Sequence, residues 1–135
     1  MADWQIVRFD PTYEEPLDVE LIPLLDSLNA AGFVTTSSCC GHGHNWPFVF
    51  FEHSTDERIE SMARHVLRRN EGSVLFFPRF RKEIWMDGYD WALHLHLVEA
   101  FGDTQEEEFL RQSIEAINIT AAFIDEWAYK GRESR

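Results

Sequence analysis

Residues 74–100 constrain the fold of this chain more than any other segment. Positions 74–86 read as a long strand, Asp87-Gly88 is a dipeptide that favours a two-residue hairpin turn, and positions 89–100 read as a returning strand. In Trp91-Ala92-Leu93-His94-Leu95-His96-Leu97, strand alternation puts the leucines on one face and both imidazoles on the other. A long hairpin with a leucine row on one side needs a second layer to cover that row. The covering layer must come from the rest of the chain.

Three helical patterns supply it. Leu17, Leu21, Leu24, Leu25 and Leu28 recur at helical spacing, with Pro23 tolerated only in the first turn and Gly32 placed to end the helix. Ser54-Thr55-Asp56-Glu57 has the form of a capping box, and Ile59, Met62, Ala63, Val66 and Leu67 follow on one face of a helix expected to run to Asn70 and close at Gly72. Thr104-Gln105-Glu106-Glu107 is a second box, ahead of a stripe of Leu110, Ile114, Ile117, Ala121, Ile124 and Ala128, with a solvated tail from Lys130. Strands are expected at 4–9, before a turn at Asp10-Pro11, and at 33–39 and 48–52 around a loop at 41–47. No repeat or linker divides the chain. The expected fold is α+β, one domain over 1–135, with two layers: a mostly antiparallel sheet and helices packed on one of its faces.

Composition narrows the function. With 5 Trp, 3 Tyr and 11 Phe in 135 residues, an unfolded chain would expose far too much apolar surface. No apolar run is long enough to span a bilayer and Met1-Ala2-Asp3-Trp4 does not read as a signal peptide, so a cytoplasmic protein with no membrane partner is expected. Lys and Arg number 12 against 24 Asp and Glu, a formal charge of −12, which disfavours nucleic acid as the main partner because phosphate binding is driven by cationic side chains. The 2 cysteines, Cys39 and Cys40, are adjacent and cannot staple a secreted domain. Two reduced thiols are the simpler reading, with a vicinal disulfide as the redox alternative.

The densest polar segment is Thr35-Thr36-Ser37-Ser38-Cys39-Cys40-Gly41-His42-Gly43-His44. Gly41 and Gly43 permit close backbone approach, so the amides of 40–43, with Ser37 and Ser38, could hold a ligand oxygen. Cys39 or Cys40 could act as nucleophile, with His42 or His44 as proton carrier. A phosphatase-type loop is excluded, since Asn45 and Trp46 occupy the positions where its arginine would stand. If Asp87-Gly88 forms the turn, Met86 faces Tyr89, Arg81 faces His94 and Arg79 faces His96. Two guanidinium groups beside two imidazoles repel a cation and suit a small anionic molecule. Zinc on Cys39, His42, His94 and His96 is the competing expectation. Glu14-Glu15 and Glu106-Glu107-Glu108 read as solvated or helix-stabilising, and Trp85, Tyr89 and Trp91 as cross-strand packing rather than a ring-stacking site.

The segment Leu21-Ile22-Pro23-Leu24-Leu25-Asp26-Ser27-Leu28-Asn29, then Thr35-Thr36-Ser37-Ser38-Cys39, and later Leu93-His94-Leu95, resembles the Tyw3-type wybutosine-synthesising family over about a third of the chain. That resemblance implies methylation of a modified guanosine in transfer RNA with S-adenosylmethionine, and its site would fall on Ser37, Ser38, Cys39, Gly41 and His94. Cys40 stands where that family has Ser, and His42 where it has Arg. The Ser-Cys-Cys-Gly-His-Gly loop also resembles small bacterial and phage proteins. Three functions therefore stand at the level of sequence: a binding or catalytic site for an anion or a metal, an RNA-modifying methyltransferase, and a non-catalytic interaction module.

Overall fold

The computed structural model of the chain describes residues 7–8, 17–39, 46–52, 55–98 and 106–133. Strand β1 (Val7–Arg8) pairs antiparallel with β2 (Leu17–Asp18), and a 3-10 turn over Val19–Leu21 leads into helix α1 (Ile22–Ala30). The helix starts later than the leucine spacing suggests. Pro23 sits in its first turn, where its missing N–H costs no helical hydrogen bond, and Leu17 belongs to β2 instead.

The end of α1 follows its sequence. Gly32 adopts a φ of 97°, its N–H donates to the Asn29 carbonyl, and the Phe33 N–H reaches back to Leu28 at 2.9 Å, which together form a Schellman motif. The Asn29 side chain donates to the Leu25 carbonyl and to Thr35 Oγ1, tying the helix end to the start of β3 (Val34–Cys39). These bonds give the Asn29 and Thr35 positions of the sequence motif a structural role.

Strands β3, β4 (Phe48–Glu52), β5 (Phe76–Trp85) and β6 (Gly88–Leu97) form one antiparallel sheet in the order β3-β4-β6-β5. Helix α2 (Asp56–Arg69) links β4 to β5, and β6 lies between those two strands, as in a split βαβ unit. The N-cap of α2 is Thr55, whose Oγ1 accepts from the Arg58 N–H at 3.2 Å, so the capping signal acts one residue later than the Ser-x-x-Glu spacing implies. Gly72 does close the helix region with a φ of 84°, and buried Asn70 donates from Nδ2 to the Phe76 carbonyl, setting where β5 begins. Leu67, expected on the packed face, is exposed.

Helix α3 (Glu106–Glu133) packs with α1 and α2 against one side of the sheet. The core there joins Leu24, Leu25, Leu28, Ile59, Met62, Val66, Ile117 and Ile124 of the helices to Val49, Phe51, Leu93, Leu95 and Leu97 of the strands, all of them essentially inaccessible. Ser113 and Thr120 are also fully buried in α3. Each satisfies its hydroxyl by donating to the carbonyl four residues back, which is how polar residues enter a stripe that apolar periodicity alone does not reveal. The fold is thus α+β, with the helices on one face of an antiparallel sheet. No described helix is long and apolar enough to cross a membrane.

A candidate anion site on the open sheet face

The sheet's second face carries none of the described helices, and its side chains fall into rows fixed by strand register. One row crosses all four strands: Cys39 pairs with Phe48, Phe48 with His94, and His94 with Arg79. The next contains Ser37, Phe50, Ala92 and Arg81. On the other side, the Leu95 N–H donates to the Pro47 carbonyl, which continues the ladder and sets Trp46 beside His96, whose partner on β5 is Phe77. Ser38 pairs with Val49, so it belongs to the opposite, helix-facing side.

The β5–β6 register differs from the hairpin expectation. Met86-Asp87 forms the turn and Trp85 pairs with Gly88, so Arg79 faces His94, Phe77 faces His96, and Arg81 faces Ala92. Gly88 takes a φ of 156° as the first residue of β6, so its backbone freedom is used just after the turn rather than inside it. The displacement amounts to two residues. Because side chains alternate with period two, Arg79, Arg81, His94 and His96 still share a face, and Leu93, Leu95 and Leu97 are buried on the other.

The face is mostly aromatic. The Trp46 and His96 rings stack with centroids 4.1 Å apart and 20° between planes, Phe77 lies 5.2 Å from His96, and Phe48 lies 5.8 Å from His94. Ala92 is fully buried on this side because its row neighbours Phe50 and Arg81 and the flanking His94 are all much larger. Trp85 stacks 6.2 Å from Phe50, and its Nε1 donates to Asp90. Tyr89 and Trp91 point to the helix side, where both donate to the Asp56 carboxylate together with Lys82. That three-donor contact anchors the start of α2 and holds the Asp56 carboxyl below its ordinary range, first through the Lys82 bond and next through that of Trp91.

Burial pushes the His94 imidazole below its ordinary pKa, and the charges of Arg81 and His96 add to the effect. His96 shifts the same way, through burial first and then through Arg79 and Arg81. The neutral form of both rings is therefore favoured at pH 7. His94 Nε2 is covered and has no hydrogen-bond partner among the described residues. Arg81 is engaged by Glu83 at 2.7 Å, whereas Arg79 is exposed and makes no ion pair or hydrogen bond among the described residues.

Of the residues singled out in the sequence, Ser37, Cys39, Arg79, Arg81, His94 and His96 stand on this face, while Cys40, Gly41, His42, Gly43 and His44 lie outside the described residues. Cys39 and Ser37 are two strands from His94 and Ala92, about 10 Å by strand spacing. Among the described residues no group of three or more His, Cys, Asp and Glu side chains is placed to hold a metal ion, and the proposed zinc ligand His42 is not among them. The aromatic contribution of Trp46, Phe48, Phe50 and Phe77 is legible only once the four strands are put in order. A separate groove of about 470 Å³ between α1 and α3 is lined by Pro23, Asp26, Ser27, Ala30, Asn118, Ala121, Ala122 and Asp125. Its lining has two carboxylates and no cation, which suits an anion poorly. Compared with known protein families, curated proteins and solved structures, the chain matches none of them.

Proposed function

We propose that the protein binds a small anionic ligand on the open face of its sheet, with Arg79 as the main charged contact and Arg81 as the second. One observation carries this reading. In a chain with twice as many acidic as basic residues, Arg79 has no carboxylate partner among the described residues and stands beside two imidazoles whose neutral form is favoured, on a face made largely of rings. A guanidinium recognises carboxylate or phosphate through paired N–H donors. The same charge raises the energy of a metal cation at His94 and His96, which weighs against zinc there. Neutral imidazoles beside the anion could also accept a proton from it, so binding and proton-transfer chemistry share the site.

The second reading is methyl transfer of the Tyw3 type with S-adenosylmethionine. What favours it is that Ser37, Cys39 and His94, which carry the resemblance, stand in adjacent rows of one face. The acidic balance weighs against transfer RNA as the partner.

The experiment is a thermal melt with and without inorganic phosphate, at constant ionic strength set with chloride. Phosphate is expected to raise the melting temperature of the parent protein and to lose that effect in Arg79→Ala. An equal rise in both proteins, or none in either, contradicts the anion site.

A further inference from the structure

We infer that the anion held at Arg79 belongs to a ligand with a planar aromatic ring, and that the ring lies on Phe77. This deepens the anion-site reading and rests on it. Along β5 the outward side chains run Phe77, Arg79, Arg81, Glu83, Trp85. Phe77 is 44% exposed, whereas Phe51 and Phe76 on the helix-facing side are buried to 0–1% and Phe80 is partly buried there. It forms the outer end of the Trp46–His96–Phe77 row, in which His96 stacks on Trp46 and tilts against Phe77. The inner rings therefore hold the row in place, and the ring next to Arg79 is the one left to solvent.

Strand geometry fixes what such a pair can recognise. Residues two apart on a strand are about 6.6 Å apart along the backbone, so a ligand with its ring over Phe77 and its anion on Arg79 spans a distance of that order. Inorganic anions have no ring, and benzoate holds its carboxylate too close to its own. A nucleoside monophosphate and an aryl-alkanoic acid both satisfy the spacing. Among the described residues of this face, Arg79 is the one cation without an ion pair, which matches a single anionic group rather than a polyanion. Stacking on an aromatic side chain is tolerant of ring type, so the two sources share one mode of binding.

The test is calorimetric titration of the full chain with matched probes: AMP against ribose 5-phosphate, and indole-3-propionate against propionate. At least one ring-bearing probe is expected to bind about tenfold or more tighter than its ringless partner, and which one does so identifies the source. Phe77→Leu, an exposed apolar exchange checked for folding by circular dichroism, is expected to remove most of that advantage and to leave the phosphate effect on melting unchanged. Equal binding of ringed and ringless probes, or an advantage that survives Phe77→Leu, overturns the ring inference while the anion site stands. Failure of every probe, inorganic phosphate included, overturns both.

Discussion

Arg79 stands directly across the β5–β6 ladder from His94, and the pair closes a row that begins at Cys39 on the far edge strand. The Arg79 charge also opposes protonation of His96, the next imidazole of β6 on this face. Arg81, one row away, acts on the same two imidazoles.

The electrostatic coupling can be measured. Arg81→Ala removes a charge that depresses both imidazoles and releases Glu83, which favours the protonated form of His94. The His94 and His96 titration midpoints, followed by NMR of the ring protons, are expected to rise in this variant. Unchanged midpoints would show that burial alone sets them.

Stability should fall on the acid side in two stages. Native His94 and His96 resist a proton that the unfolded chain accepts, so their contribution is complete above the ordinary histidine value of 6.5 and is lost as pH drops from there towards the lower native values. The carboxylates held low by Lys82 at Asp56 and by Arg69 at Glu126 add a second loss below their ordinary values of 3.8 and 4.5. Urea titrations between pH 8 and pH 4 check the sign of the first stage. Stability that increased from pH 7 to pH 5.5 would contradict it.

The two sides of the sheet should respond differently to truncation. Leu93→Ala opens a cavity beneath the helices and is expected to cost about 2–5 kcal/mol. Met86→Ala, at a fully exposed turn position, should stay within about 0.5 kcal/mol. Denaturant midpoints at constant m-value separate the cases.

Gly32→Ala tests the Schellman end of α1. A side chain at a φ of 97° is strained by about 1–2 kcal/mol, and its Cβ would lie 3.1 Å from the Arg58 guanidinium that stacks over Phe33 and Trp127. A loss of that order in the melt is expected, whereas an unchanged melting temperature would mean that the turn can rearrange.

The layer arrangement was legible in the sequence because its signals are local. Alternation at 91–97 separated the leucines from the histidines, and the spacing of Ile59, Met62, Ala63 and Val66 marked the packed side of α2. Register was less legible. Asp87-Gly88 announced a hairpin, but a glycine can serve within a turn or just after it, and here it serves after, which moved the partner of His94 from Arg81 to Arg79. Pro23 marks a first helical turn, yet the leucine spacing runs past it to Leu17, which belongs to a strand. The aromatic rows were hidden for another reason. Trp46 and Phe77 are far apart in the chain and meet on either side of His96 only through strand order.

The most direct test of the central claim is a phosphate titration followed by NMR of the side-chain nitrogens. The account predicts saturable shifts confined to Arg79 Nε and the His94 and His96 ring nitrogens, with smaller changes at Arg81 and none at His65, which faces Glu126 on the helical layer. Shifts that spread evenly over all arginines, or that leave Arg79 unmoved while others saturate, would contradict it.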